Sequence, residues 1–338
     1  METQKSIQQK FFKTLRGRRG QKEFLQEVIN VLNVKSGAVY KRMSGETAIT
    51  LEEAIKLSNR FRVPLDSIKE GQNFVSFNQP FDREKEGSTG NFVIQFTKYF
   101  APLKEYQAGV ELTYLANELP IFYYFGHKYI FNFLMSVWQH LHWKEATLKI
   151  GDSSAHDQIS KQFHSDILSY YYKNKVTEIW NSNMLNNLYQ QIIFSITIRA
   201  FENGRIINLL INDIANLISH LRSVSVSGVK SIKGTQVEGS ELLIYLNDFG
   251  NYLNLVQFDS EEFCSTFIGY DYPQFLVNNS RDFYKKSKEW IRKIKTRSVL
   301  ISSEGYQYRE LFFIKIETDF KAFKSKVQKL MEIYYNED

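Results

Sequence analysis

The run Lys35-Ser36-Gly37-Ala38-Val39-Tyr40-Lys41-Arg42-Met43-Ser44 sets small, hydroxylated and basic side chains around the apolar Val39 and Met43. These groups donate hydrogen bonds and carry positive charge, but they supply no nucleophile with a base beside it. The chemistry they suit is recognition of a polyanion that also offers hydrogen-bonding edges, such as the major groove of double-stranded DNA.

Other residue types that carry chemistry are present without the partners they need. His140 and His142, with His127, form the best histidine grouping, yet His-x-His points both rings at one metal only on a strand, and the surrounding pattern is helical. His156 and His164 stand two helical turns apart with no carboxylate or cysteine to complete a site, and Cys264 sits in an apolar run with no basic neighbour. The turn Ser302-Ser303-Glu304-Gly305, leading into a helix that carries Arg309, reads first as a helix cap and second as an anion site. No phosphate-binding glycine loop and no Gly-x-Ser-x-Gly is found. The expectation is a protein that is not an enzyme and uses no metal or cofactor.

The elements that must position the basic run are short. Apolar periodicity marks helices over Ile7 to Leu15, Phe24 to Leu32, Ala38 to Met43 and Leu51 to Phe61. Asn33 tolerates the left-handed conformation that lets two helices meet steeply, so Phe24 to Glu46 predicts a helix-turn-helix whose second helix presents Lys35, Ser36, Gly37, Ala38, Tyr40, Lys41, Arg42 and Ser44. Thr50 with Glu53 predicts a capping box at the start of the fourth helix, and Pro64 marks the exit from it.

Charge singles out the same region. Residues 1–70 hold fourteen Lys and Arg against eight Asp and Glu, so the whole net charge of +6 lies there and the remaining chain is balanced. A basic module on a neutral body is the electrostatic footprint of a nucleic-acid reader.

The motif resembles Xre/Cro-type helix-turn-helix regulators through Tyr40-Lys41-Arg42-Met43-Ser44-Gly45-Glu46, Leu51-Glu52-Glu53 and Val63-Pro64-Leu65. The likeness spans Ile7 to Ile68. Asn33 replaces the usual turn glycine, Ile29 stands where the family has a small residue, and Arg42 where it often has an apolar one. The resemblance implies that Lys35, Ser36, Gly37, Tyr40 and Lys41 lie toward bases. It places Arg42, Ser44 and the basic residues Lys10, Lys13, Arg16, Arg18, Arg19 and Lys22 toward phosphates. Glu111 to Phe125, Phe263 to Phe267, Ser298 to Ser302 and Arg309 to Phe313 are also similar to long regulators of this type, which implies a second domain and no particular ligand.

The fold expected is mainly α with a C-terminal α+β portion. It comprises a helix-turn-helix bundle over 1–70, a linker or exposed loop over 71–90, a helical bundle over 91–223 and a small α+β sensing and dimerisation domain over 224–338. In the last, Leu242 to Asn247 and Tyr252 to Phe258 read as a hairpin about Asp248-Phe249-Gly250-Asn251. Leu119 to Trp138 is long enough to span a bilayer, but His127 and Lys128 would fall near its midplane, so a buried segment is expected. A lone cysteine and a polar start favour the cytoplasm. The function expected is a homodimeric, DNA-binding transcriptional regulator responding to a small-molecule or protein effector. A protein-interaction adaptor on the same fold, or an enzyme with an unrecognised C-terminal site, are the alternatives.

Overall fold

A computed structural model describes residues 4–17, 19–61, 63, 65, 75–79, 110–142, 147–152, 169–231, 238–250, 253–260, 264–271 and 274–335. The N-terminal part holds four helices, α1 (Gln4–Arg16), α2 (Gln21–Leu32), α3 (Ser36–Ser44) and α4 (Leu51–Phe61). Their apolar faces close a core of their own, in which Leu15, Phe24, Val28, Val39, Leu57 and Phe61 are buried. Each helix is too short to be stable alone, so this shared core is what keeps them helical.

The turns follow the residues that permit them. Asn33 ends α2 in the left-handed region, φ 51° and ψ 48°, and Gly45 ends α3 at φ 79°, its N–H returning to the Arg42 carbonyl at 3.1 Å. The capping box of α4 forms as expected, with Glu53 N–H donating to Thr50 Oγ1 at 3.1 Å and Thr50 N–H to Glu53 Oε2 at 3.2 Å.

The larger part of the chain combines helices with a sheet toward its C-terminal side, as expected, but the sheet is larger than the small one anticipated. The centre of this part is one mixed sheet of eight strands: β1 (Glu111–Leu115), β2 (Lys175–Trp180), β3 (Val229–Ser231), β4 (Glu238–Leu246), β5 (Leu255–Asp259), β6 (Cys264–Asp271), β7 (Gln274–Asn278) and β8 (Val299–Leu300). The order is β3-β4-β2-β1-β5-β6-β7, with β8 on β4. β1, β2 and β4 run parallel, while β5, β6 and β7 extend the sheet antiparallel.

Thus the helical bundle expected over 91–223 is replaced by an α/β arrangement, because two central strands, β1 and β2, come from that stretch. The expected hairpin is absent as well: β4 and β5 are separated by β2 and β1. Within 91–223, Lys175–Trp180 forms β2 and is followed by a helix over Asn186–Thr197.

The helices are α5 (Lys128–His142), α6 (Ser169–Lys173), α7 (Asn186–Thr197), α8 (Gly204–Ser227), α9 (Arg281–Lys295) and α10 (Tyr306–Tyr334). A 3₁₀ helix, Ile121–Gly126, leads into α5. Alternation along the strands decides what each face meets. Leu112 and Tyr114 of β1, Val176 and Trp180 of β2, and Leu242 and Ile244 of β4 pack with α5, α7, α8 and α10, while Leu115 and Ile179 face Ile291 and Ile294 of α9. Residues 75–79, within the expected linker, lie on the sheet edge, where Asn78 and Val277 exchange two backbone hydrogen bonds of 2.8 Å. No helix among the described residues is long and apolar enough to cross a membrane.

Candidate nucleic-acid interface

Within α3 the side chains divide cleanly. Val39 is fully buried, whereas Ser36, Gly37, Tyr40, Lys41 and Ser44 are exposed, as is Lys35 at the N-cap. Positions 36, 40 and 44, and 37 with 41, recur at a spacing of four, so the exposed set forms one stripe along the helix. The base-facing residues named from the sequence therefore share a surface. Sequence reasoning placed Ser44 with the phosphate contacts, and it sits at the far end of that stripe.

Several residues hold α3 in place. Gln8 of α1 donates from Nε2 to the Arg42 and Thr47 carbonyls at 2.6 and 2.8 Å and accepts the Ile49 N–H at 3.1 Å. Gln9 Nε2 adds a bond to the Ser44 carbonyl at 2.6 Å. Together they fasten α1 to the end of α3 and to the loop that follows. Nothing in the local pattern marks these glutamines, because their partners lie more than thirty residues away.

The candidate phosphate contacts are more dispersed. Lys13, Arg16 and Lys22 are exposed and Lys10 is half-buried, while Arg18 lies outside the described residues. Arg19 is drawn into the fold, its Nη1 on the Leu15 carbonyl at 3.1 Å and its guanidinium over the Phe61 ring at 5.2 Å. Arg42 is a correction to the sequence reading. Its Nε and Nη2 pair with Glu53 Oε2 and Oε1 at 3.1 and 2.8 Å, and Nη1 reaches the Ala38 carbonyl, so the fork is spent inside the domain. The Arg42 guanidinium in turn holds the Glu53 carboxyl below its usual range. Lys41 meets Glu46 at 3.3 Å, but both side chains are more than half exposed, and such a pair exchanges readily for another anion.

The other candidates sit elsewhere in the fold. Arg309 is buried and its Nη1 donates to the Ser225, Ile301 and Ser303 carbonyls at 3.3, 3.2 and 2.8 Å, while Ser302 Oγ accepts the Ile244 N–H; the turn is an internal brace and not an anion site. His140 is exposed on α5, the helix that ends at His142. His127 is buried and its Nδ1 faces Asp213 Oδ1 at 3.2 Å; Asp213 Oδ2 also accepts the Tyr129 N–H that opens α5. His156 and His164 lie outside the described residues. Cys264 is buried at the start of β6. Among the described residues no cluster of three or more His, Cys, Asp or Glu could hold a metal ion.

One feature of the α/β part was not anticipated: a buried polar cluster on β2. Glu178 accepts from Tyr171 Oη at 2.6 Å, Trp180 Nε1 at 2.7 Å and Tyr123 Oη at 3.1 Å. Nearby, Lys230 Nζ donates to the Asn174, Ser240 and Glu241 carbonyls and to Ser240 Oγ, at 2.7 to 3.1 Å. Burial pushes the Glu178 carboxyl up, and brings the Lys230 ammonium down to about 8. With all of their strong groups satisfied, these residues tie α6, β2, β3 and β4 together.

No protein-family model, no curated protein and no solved structure matches the chain. The assignment of a role therefore rests on the surfaces just described.

Proposed function

We propose that the protein is a sequence-specific transcriptional regulator that reads double-stranded DNA through α3 and acts as a homodimer. The observation that carries this reading is the exposed stripe of Ser36, Gly37, Tyr40, Lys41 and Ser44 on a short helix, fixed after a left-handed Asn33 turn. Small and hydroxylated groups let such a helix approach base edges, and Lys35 at the N-cap and Lys41 within the stripe supply charge. The net positive charge of residues 1–70 supplies the long-range attraction.

Homodimerisation follows from area. One helix-turn-helix unit contacts roughly 600–1,000 Å² of protein surface, and two units on half-sites about 34 Å apart give the tighter binding that regulation needs. The α/β part then provides the contact between copies and the place where a small molecule or protein effector acts.

The test is selection from random duplex DNA by the full-length chain, repeated with Lys35→Ala/Lys41→Ala. A palindromic consensus that the double variant fails to enrich supports regulator and dimer together. Binding without a consensus points to a non-specific role, and no retention of DNA by the unaltered chain overturns the reading in favour of an adaptor.

A further inference from the structure

The charge balance of residues 71–338 is an average over an uneven surface. From Arg281 to Arg297 stand eight Lys and Arg against two acids, Asp282 and Glu289, a local net of +6. Most of this stretch is α9, which buries Tyr284, Ser287, Ile291 and Ile294 and packs on the face of the sheet opposite α5, α7, α8 and α10. Its outer side carries the charge: Lys285, Lys286, Lys293 and Arg297 are exposed, and so is Trp290, at 41%. Spacings of four and three put Lys286, Trp290 and Lys293 on one stripe, with Lys285 beside it.

Part of the charge is used within the fold. Lys288 meets Asp259 and Arg292 meets Glu289, each at 2.8 Å, and Lys295 lies over the Tyr245 ring at 4.8 Å. Among the described residues, Lys285, Lys286 and Lys293 have no ion-pair partner. The helix dipole favours cations in the last turn, where Arg292, Lys293 and Lys295 stand, but gives no reason for Lys285 and Lys286 in the first half. A face that serves solubility alone intersperses both signs and keeps tryptophan inside.

The partner follows from what the helix has left to offer. Its apolar side is spent on the sheet, so it has none to sink into a lipid surface as an interfacial helix does. What remains is cations around an indole, a flat apolar body with one N–H to donate. Lys286 and Lys293 stand about 10 Å apart along the helix axis, about three phosphate intervals of one strand of a B-form duplex. We propose that α9 is a second DNA-contacting surface, in which Lys285, Lys286 and Lys293 bind backbone phosphates and Trp290 lies against the sugar between them. This contact is independent of sequence, goes beyond the reading of bases by α3 and does not depend on it.

The experiment measures affinity of the full-length chain for a long duplex of arbitrary sequence at several salt concentrations, for the parent, for Lys285→Gln/Lys286→Gln/Lys293→Gln and for the same three positions changed to Arg. With melting temperature unchanged, the Gln variant is expected to lose about two to three from the slope of log affinity against log salt per chain, near 0.9 for each phosphate released. The Arg variant is expected to keep the parent slope. An unchanged slope in the Gln variant, or a parent that does not bind the duplex, overturns the proposal. So does a Gln variant that holds DNA as the parent does but loses retention on phosphatidylserine vesicles, which would make α9 a membrane contact. Selection of a consensus duplex reports on α3 separately: a failed selection with the slope loss intact removes base reading and leaves α9, and the converse removes α9 alone.

Discussion

Arg42 and Glu53, eleven residues apart, meet through two parallel hydrogen bonds of 3.1 and 2.8 Å, and the same Glu53 carboxylate closes the cap of α4 on the Thr50 N–H. One carboxylate thus locks the end of α3 to the start of α4. Arg42→Ala removes two charge-assisted bonds and leaves Glu53 partly desolvated, so a loss of about 1.5–3 kcal/mol in domain stability is expected. Urea unfolding read at the N-terminal domain checks it. The pH dependence has a definite sign: Glu53 is held below its usual range when folded, so its contribution is full above the ordinary carboxylate value and disappears as pH falls through the lowered one. A variant that loses DNA retention with unchanged stability would show that Arg42 serves DNA directly.

Gln8 makes the complementary prediction, because it touches α3 only through backbone groups and does not lie on the exposed stripe. Gln8→Leu deletes its bonds to Arg42, Thr47 and Ile49, and a loss of about 1–3 kcal/mol is expected. The α3 orientation should loosen with it, so DNA affinity should fall while the slope of log affinity against log salt stays the same, since no phosphate contact is removed. A reduced slope in this variant would contradict the positioning role.

These two residues also show what a sequence can and cannot reveal. The α3 stripe was legible because spacing along one helix fixes which side chains share a face, and the Asn33 turn and Thr50 cap were legible because they are local chemistry. Arg42 misled because its partner is in another helix. Strands β1 and β2 were hidden for a different reason: both faces are covered, and in β2 the buried Glu178 stands between Val176 and Trp180 where an apolar residue would have shown the alternation. At Asp248 the pairing expected between β4 and β5 is not found. The Asp248 Oδ1 accepts the Ser182 N–H at the end of β2, a contact that helps send β4 and β5 to different places in the sheet.

Glu178 carries a prediction for the α/β part. Its carboxyl is pushed up mainly by burial, so the folded chain holds a proton that the unfolded chain has already released, and stability declines as pH rises from the ordinary carboxylate value to the raised one. Glu178→Gln should flatten that decline, seen as urea midpoints that no longer fall between pH 4.5 and neutrality. Glu178→Leu strands the Tyr123, Tyr171 and Trp180 donors and should cost about 3–5 kcal/mol at neutral pH. Equal losses for the two variants would mean that the hydrogen bonds contribute little.

Lys230 acts at the other end of the pH scale. Burial lowers its ammonium to about 8 against an ordinary value of 10.5, so above about pH 8 the folded chain sheds a proton that the unfolded chain retains, and stability rises with pH until about 10. Buried tyrosines such as Tyr123 and Tyr171 are pushed up by burial and oppose this as unfolded tyrosines begin to ionise, from about pH 9, so the comparison with a variant at the same pH isolates Lys230. Its own contribution should gain about 1.5 kcal/mol between pH 8 and 9.5, the slope approaching roughly 1.4 kcal/mol per unit. Lys230→Met leaves the Asn174, Ser240 and Glu241 carbonyls without this donor and should cost about 1–3 kcal/mol at pH 7. Because methionine cannot titrate, the gap between parent and variant should then widen as pH rises from 8 to 9.5. Urea midpoints for both proteins at pH 7, 8 and 9.5 decide the matter, and a gap that stays constant would mean that Lys230 keeps its proton throughout.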